Sequence, residues 1–190
     1  MVINMQSKED LRIKKTKKNL YQGLIELLEQ KPFEEIKTKE ICEISLINRS
    51  TFYDHFSNKY DLLQSLLNEK KDEYEKKIKE KKKDYSHAKE YYMTIIDILF
   101  SHLEENKYIY KAILQNNNNS IVIDIINNSV IKYVSEIISK YNNQNIPNEI
   151  ISTFYTSAIT NICLMYLKYP TKYKKDDIIK YLDKLLPEEI

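Results

Sequence analysis

Residues 32–63, PFEEIKTKEICEISLINRSTFYDHFSNKYDLL, decide the fold. They read as two short helices joined by a tight turn, the second opening on a cluster of hydrogen-bonding and basic side chains. Ile36, Ile41, Ile44 and Ile47 are apolar, and the spacing of Ile41 and Ile44 puts both on one helical face. A first helix is expected at about Thr38–Ser45, with Thr38 able to cap its first free amides. Asn48 suits the N-cap of the second helix, whose Phe52 and Phe56 lie four apart and point into one core. The opposite face carries Arg49, Ser50, Thr51, Tyr53 and His55, the donors and planar groups that phosphates and base edges accept. Asn58 then starts a third helix, with Asp61 as a partial capping box and Lys59 in its first turn. A helix N-terminus that also carries a lysine is expected to clamp a phosphate.

The run Thr51-Phe52-Tyr53-Asp54-His55-Phe56-Ser57-Asn58-Lys59 is followed by Leu62-Leu63 and preceded by Phe33-Glu34-Glu35-Ile36. Together these segments resemble the DNA-binding domain of the TetR family of transcriptional regulators, a likeness that covers about residues 10–67. The resemblance implies that Thr38, Lys39, Thr51, Tyr53, His55 and Lys59 meet the DNA backbone. It puts Arg49, Ser50 and Tyr53 nearest the bases, and the cap Asn48 joins the same surface. In one departure, Ser45-Leu46-Ile47 stands where the family usually has Ala-Gly-Val. Leu46 must then make the turn, at a cost if the turn needs a positive φ. A short helix pair with phenylalanines four apart is common in helical proteins. It is the ordered run of matches, with its caps, that points to DNA.

Composition bounds the alternatives. A chain of 190 residues that is 42% hydrophobic and 31% charged can bury a core, which excludes a wholly disordered protein. No apolar run approaches the ~20 residues that span a bilayer, and Lys8, Glu9 and Asp10 near the start do not suit a signal peptide. A cytoplasmic location, away from membranes, is expected. Gly23 is the single glycine, so glycine-rich phosphate loops and the nucleotide chemistry built on them have no place here. Cys42 and Cys163 lie too far apart in sequence for a metal spacing or a disulfide framework, and read as small buried hydrophobes. The formal charge of +2 is mild for a nucleic-acid binder, but Lys8, Arg12, Lys14, Lys15, Lys17 and Lys18 gather against only Glu9 and Asp10. That patch suits either phosphate contact or a solvated helix face.

Outward from the motif, the pattern is helical throughout. Ile13, Leu20, Leu24, Leu27 and Leu28 follow a helical period until Pro32. Leu62, Leu63, Leu66 and Leu67 open a fourth helix whose end, Lys70 to Lys83, alternates lysine with acids and reads as a solvated bridge. Tyr92, Ile95, Ile96, Leu99, Phe100 and Leu103 form a wide apolar stripe, and Tyr108–Leu114 a short helix. Asparagine runs at 116–119 and 142–145 read as loops, and between them Ile123, Ile126, Val130, Val134, Ile137 and Tyr141 define another helix. The architecture expected is all-α, with about nine helices. A three-helix helix-turn-helix domain at 1–57 precedes a helical effector-sensing and dimerisation domain at 58–190.

In Ile146–Tyr169, bounded by Pro147 and Pro170, Ile151, Phe154, Ala158, Ile162 and Met165 line one face. Tyr155, Ile159, Cys163 and Tyr166 line a neighbouring face. A helix apolar over so much of its circumference needs cover on two sides. The closing helix, with Ile178, Ile179, Leu182, Leu185 and Leu186, offers a second stripe, and helix pairs from two subunits would satisfy both. The dimer contacts expected are Ile151, Phe154, Ala158, Ile162, Met165 and Tyr166; a monomer with a well-buried central helix is the alternative.

Catalysis has no recognisable constellation among three histidines. His87 with Glu90 and His102 with Glu105 place histidine and carboxylate on one helical face, but in the reverse order to the Glu-x-x-His of bundle metal sites. No metal, cofactor or enzymatic activity is expected. With 16 tyrosines, Tyr92, Phe100 and Tyr110 are candidates for an effector pocket, although such aromatics are more often core. The expected function is a sequence-specific DNA-binding regulator, a homodimeric repressor on an inverted-repeat operator, controlled by a small-molecule or protein effector. The alternatives are an activator that senses a partner protein and a helical interaction module without a specific DNA target.

Overall fold

The computed structural model describes residues 2–81, 88–114, 119–141 and 146–186, with side chains placed there except at 2–9, 88, 113, 119–123, 125, 126, 129, 137 and 141. Among the described residues every regular element is helical. In order these are α1 (Val2–Gln30), a 3₁₀ turn (Phe33–Glu35), α2 (Thr38–Ile44), α3 (Arg49–His55), α4 (Lys59–Lys81) and α5 (Ala88–Glu105). α6 (Lys107–Leu114), α7 (Asn119–Tyr141), α8 (Asn148–Lys168) and α9 (Lys175–Leu185) follow. The all-α architecture read from the sequence is the one observed. The expected loops at 116–118 and 142–145, the side chains of Ile123, Ile126, Ile137 and Tyr141, and the histidine His87 lie outside the described residues.

The chain divides into two compact units, Met1–Lys70 and Lys71–Ile190. The division falls inside α4, beyond its start at 58–59, because Leu62, Leu63, Leu66 and Leu67 in the first half of that helix are buried. The Tyr21 hydroxyl of α1 also meets Ser65 Oγ of α4 at 2.7 Å.

In the first unit α1 buries Leu20, Leu24, Leu27 and Leu28, the stripe that its sequence announces. Gly23 sits where α1 meets α2: a Cβ there would collide with Ser45 Oγ and lie 2.7 Å from Ile44 Cγ2. Close helix approach is therefore what glycine provides at this position. The turn between α2 and α3 carries the strain that its sequence implies, since Leu46 takes φ 55° with its side chain 91% exposed. It contributes no packing to offset that conformation. Cys42 is buried here, and burial pushes its thiol pKa up.

In the second unit Tyr92, Ile95, Ile96, Leu99, Phe100 and Leu103 of α5 are all buried. α7 and α8 form the most extensive helix pair. Their seam is partly polar: Thr160 Oγ1 donates to Asn127 Oδ1 at 2.7 Å, and Ser135 and Ser152 hydroxyls lie 3.5 Å apart. Cys163 is fully buried in α8, and its pKa too is raised by burial. α8 is long and apolar enough to cross a membrane by length and composition, and 44% of that window is buried. α9 buries Ile178 and Leu182, and ion pairs of 3.4 Å (Lys89–Asp183) and 3.2 Å (Lys175–Asp97) join it to α5.

Candidate nucleic-acid interface

The interface is built on α2, α3 and the first turn of α4. The α2 cap falls one residue before the expected Thr38: Lys37 is the N-cap, and its amide donates to Glu40 Oε2 at 2.8 Å. The Lys31 ammonium reaches the other oxygen of Glu40 at 2.6 Å, and with the Lys37 amide it holds that carboxyl below the usual range. Thr38 and Lys39 thus open the helix. Lys39 is solvent-exposed and 3.6 Å from Glu43 one turn on, a surface pair that a phosphate can displace.

Asn48 caps α3, its side chain accepting the Ser50 amide at 3.4 Å. With that start fixed, the period of the helix separates its residues cleanly. Phe52 and Phe56 are buried at 0% and 3% exposure, their rings 5.9 Å apart, with Tyr21 of α1 6.3 Å from Phe56. Arg49, Ser50 and Tyr53 are exposed, and Thr51 and His55 are half-buried. Tyr53 stands edge-on to Phe52, ring centroids 5.3 Å apart, which fixes the ring while leaving 51% of the residue in solvent. Of the basic patch on α1, Arg12, Lys14, Lys15 and Lys18 are exposed, whereas Lys17 lies over the Phe56 ring at 5.6 Å.

Lys59, expected to clamp a phosphate, is turned toward protein carbonyls. Its ammonium points into the protein and donates to the carbonyls of Phe33, Glu34 and Ile36, leaving its side chain 14% exposed. Burial lowers its pKa, and Glu34 opposes that shift. Several amides around this N-terminus are occupied as well. Asn58 Oδ1 accepts from the amides of Tyr60 (2.9 Å) and Asp61 (3.0 Å), and Asp61 Oδ2 accepts from Ser57 N at 2.9 Å.

The other residues singled out by sequence fall in the second unit. On α8, Phe154 (68% exposed) and Ala158 face solvent, Ile162 and Met165 are half-buried, and Ile151 and Tyr166 are covered by the unit's own core. Tyr166 packs edge-on to Phe100, centroids 5.4 Å apart. Leu185 of the expected closing stripe is 76% exposed, and so are two residues that the sequence does not single out, Ile150 (62%) and Tyr181 (58%). The four-residue step from Ile150 to Phe154 was the available signal. Tyr92 lines a cleft with Ile95, Ile96 and Leu99 of α5, Val130, Tyr133 and Val134 of α7 and Ile159 of α8. Burial pushes the Tyr133 hydroxyl up to about 12, so it stays neutral. The space is about 20 Å³, room for a water, which needs about 10–15 Å³ on the same measure. Phe100 and Tyr110 do not line it; Tyr110 shares a 2.9 Å hydrogen bond with the buried His102. Glu105 pairs with Lys77, and no metal-holding cluster occurs among the described residues.

The profile for bacterial regulatory proteins of the tetR family matches residues 20–66, and one described as a transcriptional regulator C-terminal region matches residues 90–188. No curated protein matches the chain. Among solved structures, the fatty acid degradation regulator FadR from Bacillus halodurans superposes with a TM-score of 0.73 at 14% identity, over 89% of this chain and 93% of that one. FadR from Bacillus subtilis in complex with stearoyl-CoA gives 0.69 at 18% identity, over 88% and 95%. The dihydroxyacetone kinase operon activator DhaS gives 0.63 at 17%, over 90% and 97%. At these identities the likeness is one of fold.

Proposed function

The chain belongs to the tetR family of bacterial regulatory proteins and is a DNA-binding transcriptional regulator; from that premise we propose that it is a cytoplasmic homodimeric repressor on an inverted-repeat operator. Members of this family are generally non-enzymatic transcription factors. The observation that carries the reading is the division of α3. Phe52 and Phe56 anchor one side, and Arg49, Ser50 and Tyr53 stand in solvent on the other. Arg49, at the start of the helix, has the donors to read a guanine edge. Asn48, Ser50 and Tyr53 flank it, while Thr38, Lys39, Thr51 and His55 meet phosphates. Lys59, with its donors on protein carbonyls, is left out of this set.

Two-fold symmetry would come from the outward stripe of α8, Ile150, Phe154 and Ala158 with Ile162 and Met165, beside Tyr181 and Leu185 of α9. For control, an effector entering beside Tyr92 and Tyr133 must part α5 from α7, since pockets for small ligands are roughly 300–1,000 Å³. The stearoyl-CoA of the Bacillus subtilis neighbour is far larger than the cleft. A second reading, in which the effector is a partner protein, needs no such opening of this cleft. One structural neighbour is an operon activator, so the fold is compatible with regulation in either direction.

Footprinting on the intergenic DNA upstream of the gene tests the proposal. Protection of two half-sites about one helical turn apart is expected, and protection of a single asymmetric half-site refutes the two-fold arrangement. Arg49→Ala should weaken the protected site by roughly 1–3 kcal/mol and flatten discrimination against random DNA. An equal loss on both DNAs would remove Arg49 from base reading.

A further inference from the structure

An ammonium group has three N–H bonds, and Lys59 directs each to a main-chain carbonyl: Phe33 O at 3.0 Å, Glu34 O at 2.9 Å and Ile36 O at 2.9 Å. The charge also lies over the rings of Phe33 and Tyr60, 4.7 and 5.4 Å from their centroids. Phe33 and Ile36 are themselves buried, at 2% and 1% exposure. Tyr60 repeats the tie, its ring edge-on to Phe33 at 5.2 Å and its hydroxyl donating to Glu34 Oε2 at 2.7 Å. A phosphate approaching Lys59 would have to break one of the three carbonyl bonds. It would also meet the Glu34 carboxylate, 3.9 Å from the ammonium, and Asp61 in the same helical turn.

What lies between the two ends of the tie is the helix-turn-helix itself. The chain leaves Ile36, runs through α2, the Leu46 turn and α3, and returns at Lys59. We infer that Lys59 is a positioning residue that closes the base of the α2–α3 loop through the carbonyls of Phe33, Glu34 and Ile36, and so fixes the DNA-reading helix without touching DNA. Closing the loop removes the freedom of its ends, which α3 would otherwise have to give up on binding. Thr38 and Lys39 begin two residues beyond the tied carbonyl of Ile36, so the same bonds hold their helix start. The inference rests on the DNA-reading function proposed above.

The two roles respond differently to substitution. Arginine is an excellent phosphate ligand, but its planar fork cannot direct three N–H bonds at carbonyls that converge on one point. The test uses the full chain and a mixed-sequence DNA duplex, titrated across a salt series, with Lys59→Met and Lys59→Arg. A positioning role predicts that both variants bind about tenfold more weakly, with the slope of log K against log salt unchanged. If Lys59→Met lowers that slope by about one and Lys59→Arg restores affinity, Lys59 is a phosphate contact and the inference falls. Nitrogen-15 spectra of the lysine ammonium groups in the unsubstituted protein give a second reading, independent of whether the variants fold. Slowly exchanging Nζ protons on Lys59 in the free protein, unmoved by the duplex, support the tie; exchange at the rate of solvent lysines overturns it. A wild-type protein that binds no duplex would defeat the DNA reading alone, since the free-protein spectrum still decides the tie.

Discussion

Helices α3 and α8 differ in what they leave to solvent. α3 buries Phe52 and Phe56 and shows solvent Arg49, Ser50 and Tyr53. α8 buries a row of hydroxyls, Ser152, Thr156 and Thr160, among Ile151, Ile159, Cys163, Tyr166 and Leu167, and shows solvent Ile150 and Phe154. A helix of the first kind is complete within its own unit and offers polar groups to a polar partner. A helix of the second kind mixes hydroxyls into its buried side and leaves large apolar side chains exposed. Each helix therefore describes the chemistry of what should lie against it: a phosphate-bearing duplex in the first case, another apolar helix surface in the second.

The contrast can be broken from either side. The largest effect is expected at the anchor of α3, where Phe52→Ala empties a fully buried ring site and should cost roughly 3–5 kcal/mol. Thermal melts should then show the first unit unfolding early, with operator binding lost, while the second unit keeps its own transition. A single cooperative melt with undiminished stability would show that Phe52 is not the keystone of the head. On α8 the equivalent site faces outward. Phe154→Asp should leave the fold intact, because that side chain is 68% exposed. It should nevertheless raise the dimer dissociation constant by a hundredfold or more, about 3 kcal/mol, by burying a charge without a partner. Sedimentation velocity reads this directly, and an unchanged dimer would move the interface off α8.

The smallest effect sharpens the comparison without disturbing either face. Leu46 has φ 55° and its side chain packs on nothing, being 91% exposed. Leu46→Gly should then relieve most of the ~1–2 kcal/mol cost of a left-handed residue, less what glycine adds to the entropy of the unfolded chain. A rise of a few degrees in the melting temperature of the first unit, with sedimentation unchanged, is the expected result. A fall would mean that the exposed side chain is held by a contact made only in solution.

How much of this was legible in the sequence differs between the same two helices. In α3 each signal is local: a cap at Asn48, two phenylalanines one turn apart, polar residues between them. Even the strained Leu46 could be inferred, from the missing glycine of the turn. The cap of α2 lies one residue before Thr38, the better capping type, because Glu40 supplies the carboxylate from inside the helix to the Lys37 amide. The inward turn of Lys59 is hidden from the sequence for a different reason. Its partners lie some two dozen residues earlier, on carbonyls, and no side-chain pattern advertises a main-chain acceptor. In α8 the period fails as a guide, because apolar residues occupy nearly every angle around the helix. Hydropathy favours Ile151 and Tyr166 as much as Ile150 and Phe154, and only the burial of the hydroxyl row against α7 decides which pair faces outward.

The two free thiols fall one to each unit, and both are held protonated by burial, Cys42 at 2% exposure and Cys163 at 0%. Alkylation requires a thiolate in contact with reagent, so neither sulfur should react until its surroundings open. The chain thus carries two clocks of native origin. With a maleimide in excess, the mass of each cysteine-containing peptide over time would report the opening rate of the reading head and of the helical second unit separately. Adding DNA should slow the first clock, and adding an effector the second.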